Sequence, residues 1–378
     1  MSAKPSSATG SAAGVAAQAP EYVRRMAPYV PGKPIDELAR EYGLAEESII
    51  KLASNENPRG PSPKVRAAIA AAVADITRYP DGNGFALKSA LAQRLGVARE
   101  QIVLGNGSND VLELAAQAFL RPGDDAVYSR HAFAVYPLAV HARGATGIEV
   151  PARAYGHDLE AMREAITPRT RVVFLANPNN PTGTWLPAAA VKRFLAAVPR
   201  EVLVVLDEAY DEYLDVTQRS TSASWLGEHA NLIVSRTFSK AYGLAGLRIG
   251  YGLMDAAVAA LLNGVRQPFN VNSVAQAAAL AALADVDYVA ESAALNRAGL
   301  RELGTALDAM GIDYVPSHGN FLLLRVGDAA AVYARLLRQG VIVRPVSNYG
   351  LPEHLRVTVG LAEENRRFLS ALRSALGR

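Results

Sequence analysis

The chain of 378 residues has no cysteine, few aromatic residues and no long apolar run. Without cysteine there can be no disulfide bond, thiolate metal site or cysteine nucleophile. No apolar run approaches the ~20 residues needed to span a bilayer. The first 20 residues are rich in Ala, Gly and Ser and contain one valine and no leucine, unlike the apolar middle of a secretory signal. We therefore expect a cytoplasmic location, a disordered tail over residues 1–20 and no metal site.

A large excess of charge of one sign is also absent. The chain has 39 Lys and Arg against 36 Asp and Glu, a formal net charge of +3. No basic run or stripe accompanies this small surplus, so the charge pattern does not favour nucleic-acid binding. A modest positive potential would still attract anionic small molecules. We expect small-molecule substrates, with neither a nucleic-acid nor a membrane partner.

Short apolar runs alternate with amphipathic ones from about residue 49 onward, a pattern typical of alternating strands and helices. The predicted strands are 102–104, 126–128, 171–176, 202–206, 232–235 and 249–253. The predicted helices are 63–74, 86–95, 110–119, 158–166 and 187–198. Two strands, 172–175 and 202–206, are continuously apolar, as expected for strands buried on both faces of a parallel sheet. These features predict an α/β domain with a mainly parallel sheet flanked by helices.

The last third of the chain has a different order of elements. An Ala-rich helical stretch, 273–284, and a second helical pattern through residue 310 precede strands at 320–326, 341–344 and 355–359, with helices between and after them. This order indicates a smaller α+β unit. We predict a tail (1–20), an N-terminal arm (21–48), a large domain (49–270) and a small domain (271–378).

Polar side chains follow three of the predicted strands where each strand ends. Asn180 follows the first, Asp207 the second, and Lys240 closes a Ser/Thr-rich segment after the third. Singly they are typical of turns, helix caps or a solvated lysine. Ligands of open α/β sheets, however, gather at the carboxyl ends of the strands. A lysine for a Schiff base and an acid for a pyridine nitrogen are what a pyridoxal-phosphate site requires, and hydroxyls with Arg248 could hold its phosphate.

In these motifs the chain resembles the fold-type I pyridoxal-phosphate aminotransferases and, among them, is similar to the histidinol-phosphate aminotransferase family. The resemblance runs from about Tyr29 to the C-terminal helix and implies a seven-stranded-type sheet. Its motifs stand in the family's order, at residues 55–58 (NENP), 78–81 (RYPD), 105–108 (GNGS), 133–136 (FAVY), 177–183 (NPNNPTG), 207–210 (DEAY), 239–240 (SK) with Arg248, and 355–360 (LRVTVG).

This resemblance implies roles for the residues around the cofactor ring. Lys240 would form the Schiff base and later shuttle the proton between the substrate's α-carbon and the cofactor. Asp207 would keep the pyridine nitrogen protonated. Tyr210 and Asn180 would hydrogen-bond the phenolic oxygen of the ring, and Phe133 would stack on its face.

The resemblance also implies how the cofactor phosphate is held. The residues concerned are Gly107, Ser108, Asn109, Thr237, Ser239 and Arg248. The segment 107–109 opens a predicted helix, whose N-terminal N–H groups suit an anion. A Rossmann interpretation of the glycines fails because Asp110 stands where the third glycine would be. Tyr79 resembles the residue that reaches the phosphate in the neighbouring subunit, which implies a homodimer.

For the substrate, the resemblance implies that Arg356 pairs with the α-carboxylate, a bidentate contact that arginine makes better than lysine. Arg344 and Tyr29 match positions associated with the substrate's distal group or phosphate. Asn57 and Asn180 are further predicted contacts. The leading hypothesis is transfer of an amino group from L-histidinol phosphate to 2-oxoglutarate by a ping-pong route, as part of histidine biosynthesis.

Two departures from the family pattern leave alternatives open. His131-Ala132 stands where many members have Pro-Ser/Thr, and Asn109 stands where many have Asp. Both positions border the cofactor, so an aromatic amino-acid aminotransferase for phenylalanine or tyrosine is the main alternative. A phosphothreonine-type decarboxylase is a second one. An effector domain of a transcription regulator fits poorly, because only about 45 residues precede the fold, too few for a helix-turn-helix domain.

Overall fold

Continuously apolar strands form the centre of the computed structural model, which describes residues 14–377. In this part of the chain the large sheet has seven strands in the order β2-β8-β7-β6-β5-β3-β4. Strand β8 is antiparallel to both of its neighbours, and all other pairs are parallel. The strands of this sheet are β2 Ile102–Gly105, β3 Asp125–Ser129, β4 Thr146–Val150, β5 Thr170–Ala176, β6 Leu203–Asp207, β7 Leu232–Thr237 and β8 Gly250–Leu253.

Helices cover both faces of this sheet and bury its apolar side chains. On one face they are α3 Pro63–Val73, α4 Phe85–Leu95, α7 Leu159–Glu164, α8 Ala188–Ala197 and α10 Ser273–Ala284. On the other they are α5 Ser108–Phe119, α6 Val135–His141 and α9 Ala256–Val265. Local signals place some helix starts: the Ser62 side chain accepts a hydrogen bond from the Val65 N–H, with proline in the first helical position.

A second, antiparallel sheet of order β12-β13-β10-β9 forms the smaller unit. Its strands are β9 Tyr314–Val315, β10 Phe321–Arg325, β12 Arg344–Pro345 and β13 His354–Thr358. Helices α11 Val286–Ala309, α12 Ala329–Arg338 and α13 Ala362–Ala375 share its core. Strand β1 Ile50–Lys51 pairs in parallel with β11 Val341–Ile342, and the short helices α1 Glu21–Arg24 and α2 Ile35–Tyr42 precede it.

The predicted fold class is confirmed: a mainly parallel seven-stranded sheet lies between helices, beside a smaller α+β unit. Strands β1, β4 and β9 and helices α1, α2, α6 and α9 were not predicted. The predicted tail, 1–20, lies mostly outside the described residues. The domain boundaries at residues 49 and 270 stay predictions; β1 pairs with the small unit, and α10 packs against α3 and α4 of the large one.

Among residues 14–377, no single helix is long and apolar enough to cross a membrane. The successive helices α10 and α11 pass that test only as a pair, and the chain bends by 80° between them. The inner face of α10 belongs to the core of the large unit, as its buried alanines Ala275, Ala278 and Ala279 indicate. Burial in the protein core therefore accounts for the apolar character of α10.

Candidate active site

The carboxyl ends of β5, β6 and β7 meet at one cavity of about 360 Å³, as the sequence predicted. The start of α5 closes one side of it, and β12 and β13 of the small unit close another. Thirteen of the predicted site residues line the cavity: Tyr29, Ser108, Asn109, Phe133, Asn180, Asp207, Tyr210, Thr237, Ser239, Lys240, Arg248, Arg344 and Arg356. Residues that are up to 327 positions apart in the chain are thereby brought together.

Lys240 lies in this cavity with its ammonium group held by a backbone carbonyl. Its Nζ donates to the Ser54 oxygen at 3.0 Å. Burial, reinforced by the positive charge of Arg356 and then by that of Arg248, lowers the pKa of Lys240 to about 8. A lysine with such a pKa supplies an appreciable share of neutral, nucleophilic amine near physiological pH.

The carboxyl group of Asp207, at the end of β6, is buried and accepts two hydrogen bonds. Its Oδ2 accepts from the Tyr136 hydroxyl at 2.9 Å, and its Oδ1 accepts from the Ala209 N–H at 3.3 Å. Burial raises the pKa of Asp207 to about 6, and the bond from Tyr136 opposes that rise. A carboxylate in this setting is poised to pair with a cation placed in the cavity. Tyr136 was not predicted as a site residue.

Tyr210 presents its hydroxyl to the same space. The hydroxyl oxygen accepts from Asn55 Nδ2 at 2.9 Å, and burial raises the pKa of Tyr210 to about 12. The phenol therefore keeps its proton and can donate it to an acceptor in the cavity. Asn55 has a left-handed φ of 54° and is anchored by its N–H to Thr358 Oγ1 at 2.9 Å. Asn55 was also missed as a site residue.

An anion cradle lies at the start of α5. Gly107 precedes the helix with a φ of 86°, and in the described structure no side chain caps the first turn. A Cβ at Gly107 would lie 2.3 Å from a guanidinium nitrogen of Arg248, so glycine permits the close approach of that arginine. Arg248 Nη1 donates to the Ala245 oxygen at 3.0 Å and lies 3.4 Å from Ser239 Oγ. Free helix N–H groups, a guanidinium and a hydroxyl together suit a phosphate.

Two arginines from the small unit face the cavity. Arg356 is buried; its Nη1 donates to Asn180 Oδ1 at 2.5 Å and its Nη2 to the Ala53 oxygen at 2.6 Å. Arg344 Nη2 donates to the Val30 oxygen at 2.7 Å, and its guanidinium lies 5.6 Å from the centre of the Tyr29 ring. The N-terminal arm thus reaches the cavity through Arg344.

Three predicted residues do not line the cavity. Gly107 contributes indirectly, because its lack of a side chain permits the close approach of Arg248. The Asn57 amide donates to the Ala241 oxygen at 2.9 Å and to Ser292 Oγ at 3.0 Å, so it anchors the backbone next to Lys240. Its contact with the substrate stays a prediction. Tyr79 is 82% exposed and stacks on Phe269, with ring centres 4.8 Å apart.

The cavity fits pyridoxal phosphate because it contains an unmatched polar group. Arg356 lines the cavity, and its buried Nε has no hydrogen-bond partner within residues 14–377. Such orphaned groups mark a place for a polar ligand. The buried carboxyl of Asp207 and the anion cradle lie at the same cavity, as a ring nitrogen and a phosphate of one molecule require.

Comparison with known proteins identifies relatives over most of the chain. The family model described as aminotransferase class I and II matches residues 47–372. Histidinol-phosphate aminotransferase 2 of Nitrosospira multiformis is 60% identical over 95% of this chain and 92% of its own length. Histidinol-phosphate aminotransferase 1 of Thiobacillus denitrificans is 62% identical over 96% of this chain and 94% of its own.

A solved structure supports the same relationship. The crystal structure of histidinol-phosphate aminotransferase from Sinorhizobium meliloti, in complex with pyridoxal-5'-phosphate, has a TM-score of 0.87 to this chain. The two are 32% identical, and the match covers 94% of this chain and 97% of the other. Sequence and fold therefore agree on the relatives of this chain.

Proposed function

Since the chain belongs to aminotransferase class I and II and, within it, to the histidinol-phosphate aminotransferase family, we propose that it transfers the amino group of L-histidinol phosphate to 2-oxoglutarate. The products are imidazole-acetol phosphate and L-glutamate, and the reaction belongs to histidine biosynthesis. The observation that carries the substrate assignment is the pair of guanidinium groups, Arg344 and Arg356, in one cavity with Lys240.

The cofactor is pyridoxal 5'-phosphate, in keeping with the relatives named above. When bound, its protonated ring withdraws electrons from the substrate's α-carbon and so weakens the bond to the α-hydrogen. Lys240 would hold the aldehyde carbon of the cofactor and Asp207 its ring nitrogen. The start of α5, Ser239 and Arg248 would hold the phosphate.

Lys240, Asp207 and Arg356 would each have a separate role in the reaction. Lys240, with its pKa lowered to about 8, can release and take up a proton near neutral pH, so it would move the proton from the substrate's α-carbon. Asp207 would supply the negative charge that keeps a ring nitrogen protonated. Arg356 would fix a carboxylate beside the reacting carbon and leave the α-hydrogen exposed to Lys240, which favours transamination over decarboxylation.

The two donors of the reaction differ in the group that the cavity must bind. Histidinol phosphate has a phosphate and no carboxylate, whereas glutamate has two carboxylates. Guanidinium groups bind both kinds of oxyanion with the same fork of N–H donors. A cavity lined by Arg344 and Arg356 can therefore serve both half-reactions without changing its charge.

The proposed active form is a homodimer, located in the cytoplasm. Tyr79 and Phe269, which stack on each other, are both exposed. Ile76 and Phe85 are exposed as well and lie close to Tyr79 in the chain. Exposed apolar groups of this size are typical of protein contacts. A second copy of the chain would cover them and bring Tyr79 to the phosphate site of the partner.

The test compares two amino donors with the purified protein. The value of kcat/KM for L-histidinol phosphate, with 2-oxoglutarate as acceptor, should exceed that for L-phenylalanine by at least about tenfold, because a phosphate offers the two arginines nearly twice the negative charge of the single carboxylate of phenylalanine. A ratio below one would instead support the aromatic aminotransferase. The variant Lys240→Ala serves as the control, and it should lose both turnover and the absorbance of the Schiff base between lysine and cofactor.

A further inference from the structure

Tyr136 is a fully buried residue of α6 that contacts two proposed cofactor-binding residues at once. Its hydroxyl donates to Asp207 Oδ2 at 2.9 Å. Its ring meets Phe133 edge-on, with ring centres 6.0 Å apart and planes at 90°. We propose that Tyr136 is a positioning residue, which holds Asp207 ionised and oriented toward the cofactor ring and supports Phe133 on the ring face. This inference rests on the proposed role of Asp207.

The position of Tyr136 is fixed independently of Asp207. Its ring stacks on Phe174 of β5, with ring centres 4.8 Å apart and an angle of only 10° between the planes. Its backbone N–H donates to the Phe133 oxygen at 3.0 Å. Close packing on both sides leaves the hydroxyl one direction in which to point, toward Oδ2. The hydroxyl therefore orients the carboxylate, rather than following it.

The chemistry of the contact favours an ionised carboxylate. Burial raises the pKa of Tyr136 well above that of a free phenol, and the neighbouring Asp207 raises it further. The phenol is consequently a hydrogen-bond donor at any pH at which the protein works. A donor to Oδ2 stabilises the negative charge of Asp207, which burial alone disfavours. In the described part of the chain, Oδ1 accepts only the longer bond from Ala209, so it is available to a cation in the cavity.

A double-mutant cycle tests the proposal on the apoenzyme. The affinity for added pyridoxal 5'-phosphate is measured for the wild type, Tyr136→Phe, Asp207→Asn and the double variant. Loss of one hydrogen bond to a charged group should weaken binding by about 10- to 100-fold in Tyr136→Phe. In the Asp207→Asn background the same substitution should change binding by less than about threefold, since the charge on which it acts is gone.

The kinetic readout separates positioning from general damage. With saturating cofactor, Tyr136→Phe should lower kcat by about tenfold or more and leave KM for the amino donor within about twofold, because Tyr136 does not line the substrate cavity. Tyr128→Phe is the matched control: Tyr128 is buried in the same core, and its ring lies against Gly147 rather than Asp207. It should leave cofactor binding and kcat unchanged.

Three outcomes would contradict the proposed positioning role of Tyr136. An equal loss of affinity in both backgrounds would make Tyr136 a structural residue, and so would an equal loss in Tyr128→Phe. Wild-type affinity in Asp207→Asn would remove the premise. The affinity cycle uses no amino donor, so a failure of the wild type to turn over histidinol phosphate would refute the proposed substrate and leave this inference standing.

Discussion

Arg356 lines the cavity, and two of its three guanidinium nitrogens already make hydrogen bonds within the protein. Asn180 Oδ1 and the Ala53 oxygen hold its two terminal nitrogens, while Nε has no partner within the described part of the chain. Burial lowers the pKa of Arg356, but an arginine still keeps its charge at neutral pH. The guanidinium group is therefore positioned before any substrate binds. Binding then does not require the loss of side-chain conformational entropy that ordering this arginine would otherwise cost.

Replacement of Arg356 by lysine should therefore be damaging, although the charge is retained. A lysine cannot bond Asn180 and Ala53 while presenting a further donor in the same plane, so kcat/KM for both half-reactions should fall by about 10- to 100-fold. Steady-state kinetics with each donor measures the loss. The matched control is Arg325→Lys, an exposed arginine on the adjacent strand β10 that pairs with Glu353. Equal activity of Arg356→Lys and the wild type would contradict the assigned role.

For single residues, the sequence could predict the site residues that follow strand ends, but not the residues that hydrogen-bond to those site residues. Asn180, Asp207 and Lys240 each follow an apolar run, so their meeting at one sheet edge follows from the parallel order of the strands. Tyr136 and Asn55 carry no such signal. Tyr136 looks like one more apolar residue of a buried helix, and Asn55 acts through a left-handed backbone turn that the sequence does not reveal.

Among the elements of the large unit, strand β4 and helices α6 and α9 were not predicted, and they lack the usual periodicity. Strand β4 lies at the edge of the sheet and includes Gly147 and Glu149, so its apolar content is low. Helix α6 is seven residues long, has Pro137 near its start and is apolar on most sides, so a 3.6-residue period is not visible. Helix α9, with the sequence AAVAALLNGV, is likewise apolar on most sides. The other helices of the large unit were predicted to within a few residues from their apolar periodicity.

The turn that follows β6 carries buried acids on the side away from the cavity. Glu208 pairs with Arg236 Nη2 at 2.7 Å, and Asp211 lies 3.3 Å from the same nitrogen. Glu212 is fully buried beside them. Burial raises the pKa of Glu212 to about 7 and also raises that of Asp211. Burial disfavours the charged forms of Asp211 and Glu212 more than Arg236 and Arg219 favour them, so ionisation of these acids at high pH destabilises the turn.

The stability of the protein should reflect this strain through Glu212. A carboxyl whose pKa is higher in the folded than in the unfolded protein favours folding at low pH, and this contribution is lost as pH rises from about 4.5 through about 7. The variant Glu212→Gln removes the titration. Its free energy of unfolding relative to the wild type should therefore improve by about 2–3 kcal/mol between about pH 5 and about pH 8.

Urea unfolding of the apoenzyme at the two pH values measures this difference. The control Glu201→Gln changes an exposed glutamate and should show the same relative stability at both. A Glu212→Gln variant whose relative stability is independent of pH would show that the pKa of Glu212 is the same in the folded and the unfolded protein, and it would contradict the raised pKa.

For the whole molecule, the site is assembled from two units and, in the proposed form, from two chains. Lys240 and Asp207 come from the large unit and Arg344 and Arg356 from the small one. Tyr79 is exposed beside Phe269 and does not line the cavity of its own chain. A closed two-fold dimer would exchange this tyrosine between subunits, so that each site contains one residue from the partner. Sequence could predict the composition of such a site, but not the contact that completes it.

Subunit mixing tests this arrangement directly. Tyr79→Ala and Lys240→Ala are co-expressed in equal amounts and assayed at a cofactor concentration that leaves Tyr79→Ala largely unloaded. In a mixed dimer, one site combines the intact Lys240 of one chain with the intact Tyr79 of the other. Random pairing makes about half of the dimers mixed, each with one complete site, so about a quarter of the wild-type activity should return.

The matched control replaces Tyr79→Ala by Asp207→Asn in the mixture. Asp207 and Lys240 lie at the same cavity of one chain, so each site of such a mixed dimer lacks one of the two and activity should not return. Recovery of activity in both mixtures would mean that wild-type chains had formed, by exchange between the two genes or by reversion of a mutation, and would not support shared sites. Recovery in neither would place Tyr79 outside the partner's site and remove the main argument for a dimeric active enzyme.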